Sequence, residues 1–180
     1  MRELSLHILD VLQNSLEAGA TLVELVIEED LAADQLVVTV RDNGRGMDEE
    51  TLTQAIDPFY TTRKTRQVGL GIPLFQAAAE RCNGSLRITS QVGKGTMLRA
   101  IFQHSHIDRA PLGDMTGTLL SFILGGVCDL SYRHRVNGRQ FTLSTTEIRA
   151  ELGEASPFSH PAVREWLREY IAEGERSLVA

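Results

Sequence analysis

Leu4, Ile8, Leu12 and Leu16 recur at every fourth position near the start of the chain, and Leu9 and Val11 widen the stripe. This spacing predicts an amphipathic helix over residues 3–18, closed by Gly19. The opposite face carries His7, Asp10, Asn14 and Glu17, also at helical spacing, and reads as solvated. The period then drops to two. Residues 20–29 and 36–40 read as an antiparallel hairpin, and Asp48 is placed to cap a short helix that gives way at Asp57-Pro58. Residues 72–82 form an apolar helix ended by Asn83-Gly84. Strands at 86–89 and 96–102 follow, joined through Gly93-Lys94-Gly95. Beyond residue 112 the pattern gives a helix over 113–124, a strand over 129–136, an Asn137-Gly138 turn and a return strand over 139–144. A short helix capped by Thr145 or Thr146 ends at Gly153. Ser159 is placed to cap a last helix, with Pro161 just inside it and Trp166, Leu167, Tyr170 and Ile171 on one face.

These elements divide the chain into residues 1–103, a linker at 104–112 and a small α+β segment at 113–180. A segment that small is marginal alone, so it is expected to pack on the first unit. The 180 residues are 42% hydrophobic and 23% charged, ordinary for a soluble globular protein. The net charge of -6 argues against a dedicated nucleic-acid or anionic-membrane surface. Cys82 and Cys128 are far apart and form no C-x-x-C pair, which suits buried thiols in a reducing, cytoplasmic setting. There is no bilayer-length apolar run and no signal-peptide core. His104, His106, His134 and His160 lack metal-ligand spacing and read as structural or surface residues.

The candidate chemistry begins at Asp42, which the second strand delivers into a turn containing Gly44 and Gly46. A carboxylate at a strand end accepts bonds from an amino group, and the glycines let a flat ligand approach the backbone. Asn14 and Asp10 are helical neighbours: one offers an amide oxygen to a hard cation, the other a carboxylate to an attacking water. Residues 59–71 form a polar, aperiodic stretch with Arg63, Lys64 and Arg66, suited to an anion. Gly69-Leu70-Gly71 opens directly into a helix, where free N–H groups favour phosphate. Together these parts suit a Mg-nucleotide, although neither G-x-x-x-x-G-K-[ST] nor G-x-G-x-x-G is present.

In that order the motifs resemble those of the GHKL ATPases, which include gyrase, the large heat-shock chaperone, sensor histidine kinases and the mismatch-repair protein MutL. The first box is similar to Asp10-Val11-Leu12-Gln13-Asn14-Ser15-Leu16-Glu17-Ala18, and the run from Gln13 onward looks especially like MutL. The second box matches Asp42, Gly44 and Gly46. The phenylalanine box matches Asp57-Pro58-Phe59-Tyr60-Thr61-Thr62-Arg63-Lys64, and later boxes match Gly69-Leu70-Gly71-Ile72 and Gly93-Lys94-Gly95-Thr96. The later boxes are of the histidine-kinase type.

The resemblance implies an α/β two-layer sandwich, a mixed sheet with helices on one face, over residues 1–103. It implies ATP and Mg²⁺ as cofactors, with Asn14 on the metal, Asp42 on the adenine, and Gly46 and Thr96 nearby. Gly44, Phe59, Arg63, Lys64, Gly69, Leu70 and Gly71 would complete the nucleotide site and its lid. Hydrolysing members usually carry Glu where this chain has Asp10, a side chain one methylene shorter. A phosphoacceptor-histidine module before the ATP domain, which a sensor histidine kinase needs, is not expected in this chain. The expected activity is therefore a protein kinase acting in trans or a slow ATPase switch, with ATP/ADP and a protein partner or substrate as ligands. A homodimer is left open, and no nucleic acid or membrane partner is expected. The alternatives are a non-catalytic ATP sensor that docks a partner and, more distantly, a MutL-like DNA-repair ATPase.

Overall fold

A computed structural model describes residues 3–59 and 70–180. Six strands form one mixed sheet: β1 (Leu22–Asp30), β2 (Gln35–Asp42), β3 (Ser85–Gln91), β4 (Gly95–Gln103), β5 (Asp129–Val136) and β6 (Arg139–Ser144). Their spatial order is β3-β4-β2-β1-β5-β6, and only the β1–β5 pair is parallel. The helices are α1 (Leu4–Glu17), α2 (Glu49–Ile56), α3 (Gly71–Arg81), α4 (Met115–Leu124), α5 (Thr145–Leu152) and α6 (Pro161–Val179).

Strand alternation puts most of the large apolar side chains on one face. In register across the sheet run Ile88, Leu98, Val40, Leu25, Tyr132 and Leu143; the next row holds Leu86, Ala100, Val38, Ile27, His134 and Phe141. The opposite face carries Arg87, Arg99, Thr39, Val26 and Arg133 in one row and keeps its charges in water. A one-sided apolar sheet needs one covering layer. That layer is α1, α3, α4 and α6, whose Leu4, Ile8, Leu12, Phe75, Leu119, Ile123, Leu167 and Ile171 are all but inaccessible.

Residues 113–180 extend this same sheet. β5 lies beside β1, and α4 packs against both α1 and α6. The first N–H groups of α1, which no helix can satisfy internally, donate to the carbonyls of Pro111 (2.9 Å) and Leu112 (2.8 Å). Glu3 accepts from the Asp114 N–H at 3.0 Å, so the chain entering α4 is tied to the start of α1.

Three local expectations change. The short helix is capped by Ser144, not by Thr145 or Thr146: the Ser144 hydroxyl accepts from the Glu147 N–H at 3.3 Å, while Thr145 is buried and donates to Asp129 at 2.8 Å. The last helix starts at Pro161 behind His160, because residues 157–159 form a separate turn in which the Ser159 hydroxyl donates to the Ser156 carbonyl. His7 is not on a solvated face: it is buried and stacks on Phe75 at 5.1 Å, because α3 covers that side of α1. Burial lowers its pKa to about 4.

A buried charged group joins β1, β5 and α6. His134 bonds Glu175 through Nδ1 and Glu29 through Nε2, each at 2.9 Å; Tyr132 donates to Glu175 at 2.8 Å, and His104 meets Glu29 at 2.7 Å. Burial pulls the His134 pKa down, but the two carboxylates outweigh it and lift it from 6.5 to about 9. The His134 bond, against the cost of burial and with help from His104, holds Glu29 below its usual range. A pKa raised on folding gives stability that is full below pH 6.5 and is lost as pH rises through about 9. The melting temperature is therefore expected to fall between pH 7 and 9.5. His134→Leu removes the imidazolium between Glu29 and Glu175, lowers stability by about 3 kcal/mol and flattens that pH dependence, as read by thermal melts across the range.

Candidate nucleotide site

The turn after β2 is stitched to α1 by short polar contacts. The Asn43 side-chain oxygen accepts from the N–H groups of Thr21 (2.9 Å) and Leu22 (3.0 Å), and its amide donates to Thr21 Oγ1 at 2.9 Å. The Arg45 N–H donates to the Ala18 carbonyl at 2.9 Å, and its guanidinium donates to the Glu17 carbonyl at 2.8 Å. Any side chain at Gly44 would press on Ala18, whose carbonyl oxygen would lie 2.8 Å from a Cβ. The second side of the turn is held by the β3–β4 hairpin. Gly93 N–H donates to Arg45 O at 2.7 Å, Met47 N–H to Ser90 Oγ at 2.8 Å, and Ser90 Oγ lies 2.8 Å from Thr96 Oγ1. Thr96 is also the cross-strand partner of Asp42.

Asp42 is thereby fixed between α1 and the sheet. Ser15 donates its hydroxyl to Oδ2 at 2.7 Å, and the Gly44 N–H donates to Oδ1 at 2.9 Å. A carboxylate has about four acceptor positions, so two remain for a ligand. They belong to a residue lining a cavity of about 460 Å³, a volume within the range of small-ligand sites. Val40, Ile72, Ile88 and Leu98 give the cavity apolar walls, while Asn14, Ser15, Asp42 and Thr96 give it polar groups. Thr51, Gln54 and Ala55 of α2 also line it; α2 starts at Asp48, which accepts from the Thr51 N–H at 2.8 Å and has no fully buried residue.

Of the candidate residues, Asn14, Asp42, Gly46 and Thr96 line this cavity together. Asn14 makes no side-chain hydrogen bond among the described residues. Gly44 is buried behind the turn, where it donates to Asp42. Asp10 does not line the cavity. It sits one helical turn away beside the N-terminus of α3, where a Cβ on Gly71 would come within 3.1 Å of the Asp10 Cβ. Partial burial there raises the Asp10 carboxyl pKa. Phe59 and Leu70 are exposed at the two edges of the described chain, at 92% and 54% accessibility, and neither lines the cavity. Arg63, Lys64 and Gly69 lie outside the described residues.

Sequence reasoning missed Ser15 and Ser90. Ser15 follows directly from Asn14, one position round a helix from the polar stripe, and only its bond across to Asp42 marks it. It also missed the wall supplied by α2, whose residues carry no distinctive pattern.

The geometry agrees with the comparisons to known proteins. A model of the histidine kinase-, DNA gyrase B- and HSP90-like ATPase family matches residues 2–106, more than half of the chain, and the chain belongs to that family. The domain that defines the family binds ATP, usually with Mg²⁺. Among relatives, sporulation kinase C of Bacillus subtilis is 32% identical over 93 residues, covering 52% of this chain and 22% of that protein. The tetrathionate sensor histidine kinase TtrS of Salmonella typhimurium is 31% identical over 112 residues, covering 60% of this chain and 18% of that protein. The chain thus spans about a fifth of the length of these curated relatives. The crystal structure of the N-terminal domain of a DNA repair protein shares the fold, with a TM-score of 0.54 at 16% identity over 81% of this chain and 53% of that one.

Gly46 tests how tightly the cavity is built. It has φ of 68°, and a Cβ there would lie 2.0 Å from the Gln91 carbonyl oxygen. Gly46→Ala must therefore displace backbone, and a loss on the order of 2 kcal/mol is expected in urea unfolding. Gly93→Ala, with open space around its Cβ, is expected to cost less.

Proposed function

We propose that the chain binds Mg-ATP in the cavity at Asp42 and acts as a protein kinase in trans or as a slow ATPase switch. The observation that carries this reading is the Asp42 carboxylate. It lies in an apolar-walled cavity of about 460 Å³, held by Ser15 and Gly44 with two acceptor positions unused, in a chain of this ATPase family. An adenine amino group is the complementary donor. Thr96 and Gly46 bound the same space, and the missing Cβ at Gly46 lets the turn close against the Gln91 backbone of the β3–β4 hairpin.

Asn14 is the residue that would hold Mg²⁺, through an amide oxygen with no competing partner among the described residues. The metal would supply charge neutralisation at the phosphates. Asp10 is the group that would take the proton from an attacking hydroxyl or water. Burial raises its pKa toward the working range of a base, and Gly71 brings it against the start of α3, whose N–H groups favour phosphate. Phe59, Arg63, Lys64, Gly69 and Leu70 belong to the stretch assigned to the nucleotide lid. A protein partner or substrate, and a cytoplasmic setting, complete the reading; no helix among the described residues is long and apolar enough to cross a membrane.

One observation favours a second reading, a non-catalytic ATP sensor. Asp10 is outside the cavity lining and one methylene shorter than the glutamate of the resemblance, so its reach is short.

Asp42→Asn is expected to weaken ATP binding roughly a hundred-fold by calorimetry, because it exchanges a charged acceptor for a neutral one, while leaving the melting temperature without nucleotide close to wild type. Unchanged affinity would remove the adenine assignment. With ATP labelled on its γ-phosphate, wild type is expected to release phosphate or pass label to protein, and Asp10→Asn to bind ATP but do neither. Turnover that depends on the ionised Asp10 falls on the acid side at a pH above 3.8, since burial raises this carboxyl. Binding without turnover in wild type, with candidate partners present, selects the sensor.

A further inference from the structure

A second cavity, of about 910 Å³, lies between α5, α6 and β6. It is built wholly from residues 142–170, outside the stretch matched to the ATPase family, so it stands independently of the nucleotide reading. Leu143, Ile148, Leu152, Val163, Trp166 and Tyr170 line it. Sequence periodicity puts Trp166 and Tyr170 on the same face as Leu167 and Ile171, but the structure divides them. Leu167 and Ile171 are fully buried, whereas Trp166 and Tyr170 are 46% and 40% exposed. The two exposed rings stack on each other at 5.2 Å, and Tyr170 packs edge-on against Phe141 at 5.4 Å, so the pair is held rigid by the core. Tryptophan and tyrosine are among the residue types enriched in binding hot spots.

The rim is acidic. Glu147 and Glu151 line the cavity and are exposed, and Glu169 and Glu173 follow Trp166 and Tyr170 at helical spacing on α6. No ion pair involves any of these four among the described residues. The nearby cations are turned elsewhere: Arg149 meets Asp129 at 3.0 Å, and Arg164 donates to the Phe158 carbonyl at 2.7 Å. From this charge pattern we infer that the α5–α6 groove docks a basic amphipathic segment of a partner protein, its apolar side chains against Trp166, Tyr170 and Leu152 and its lysines or arginines on the glutamates. A second copy of this chain is a poor occupant. A two-fold interface would set the same glutamates against each other, in a protein of net charge -6.

Trp166 is the only tryptophan in the chain, so its emission reports on the groove directly. The probe is a helical peptide with leucines on one face and lysines on the other, titrated into the full chain alongside its glutamate counterpart. The lysine peptide is expected to shift Trp166 emission to the blue and saturate. The glutamate peptide is expected to leave it unchanged. Glu147→Lys/Glu151→Lys is expected to weaken the lysine peptide by roughly ten-fold, as is 0.5 M salt. Leu152→Asp, a second exposed site on the lining, is expected to weaken it without loss of the circular dichroism spectrum. The inference is overturned by equal binding of both peptides, by wild-type affinity in the charge-reversed protein, or by no response of Trp166. It is equally overturned by sedimentation of the free chain as a dimer with buried Trp166 emission, which would make a second copy the occupant.

Discussion

The structure depends on one constraint: the sheet is apolar on a single face. Val23, Leu25, Ile27, Val38, Val40, Leu98, Ala100, Leu130 and Tyr132 are all at most 2% exposed, and every one belongs to that face. Each buried valine, leucine or isoleucine among them is worth roughly 1.5–3 kcal/mol, so the sheet exists only while a helix layer covers it. The layer closes tightly over the centre, at α1, α3 and α4. Where β2 and β4 run out beyond it, the cover is α2, which buries no residue completely, and the gap beneath is the cavity at Asp42. The candidate site is thus the place where the two-layer arrangement ends.

The polar groups at that end hold a carboxylate at the wall of the cavity. Asn43 takes up the free N–H groups at the start of β1, and Ser90 links Met47 to Thr96, so the turn asks of Asp42 only the one bond from the Gly44 N–H. Ser15 and the Gly44 N–H then hold Asp42 from the protein side only. The contrast with Glu29 and Glu175 is instructive. Those carboxylates spend their acceptors on His134, His104 and Tyr132, and they fasten the C-terminal segment to the first hairpin. One cluster is closed by its own side chains; the other, among the described residues, is bonded by Ser15 and the Gly44 N–H alone.

Residues 113–180 contribute to both ends of this design. β5 gives β1 a second neighbour, so the first hairpin is internal to the sheet, and the matched ATPase stretch and the C-terminal segment share one core. The same segment leaves α6 with two faces of different fate. The buried one reaches the core through Leu167 and Ile171, and the exposed one carries Trp166 and Tyr170.

The sequence by itself determined what is local. Periods of four and two placed α1 and the strands, Asp48 announced its helix by bonding three residues ahead, and Asn137-Gly138 made the β5–β6 hairpin because its turn chemistry is complete within a few residues. Asp42 with Gly44 and Gly46 was legible for the same reason: a carboxylate and two glycines in one turn constrain each other directly. What only the tertiary structure decided is everything that needs two distant segments. The burial of His7 requires Phe75, the orientation of Asp42 requires Ser15, the parallel pairing of β5 requires β1, and the division of Trp166 and Tyr170 from Leu167 and Ile171 requires α4 and the sheet, which cover only part of the α6 stripe. A periodic stripe says that a side chain is able to be buried. Whether it is buried depends on how much of the stripe the opposing surface covers, and that area is set by packing across the fold.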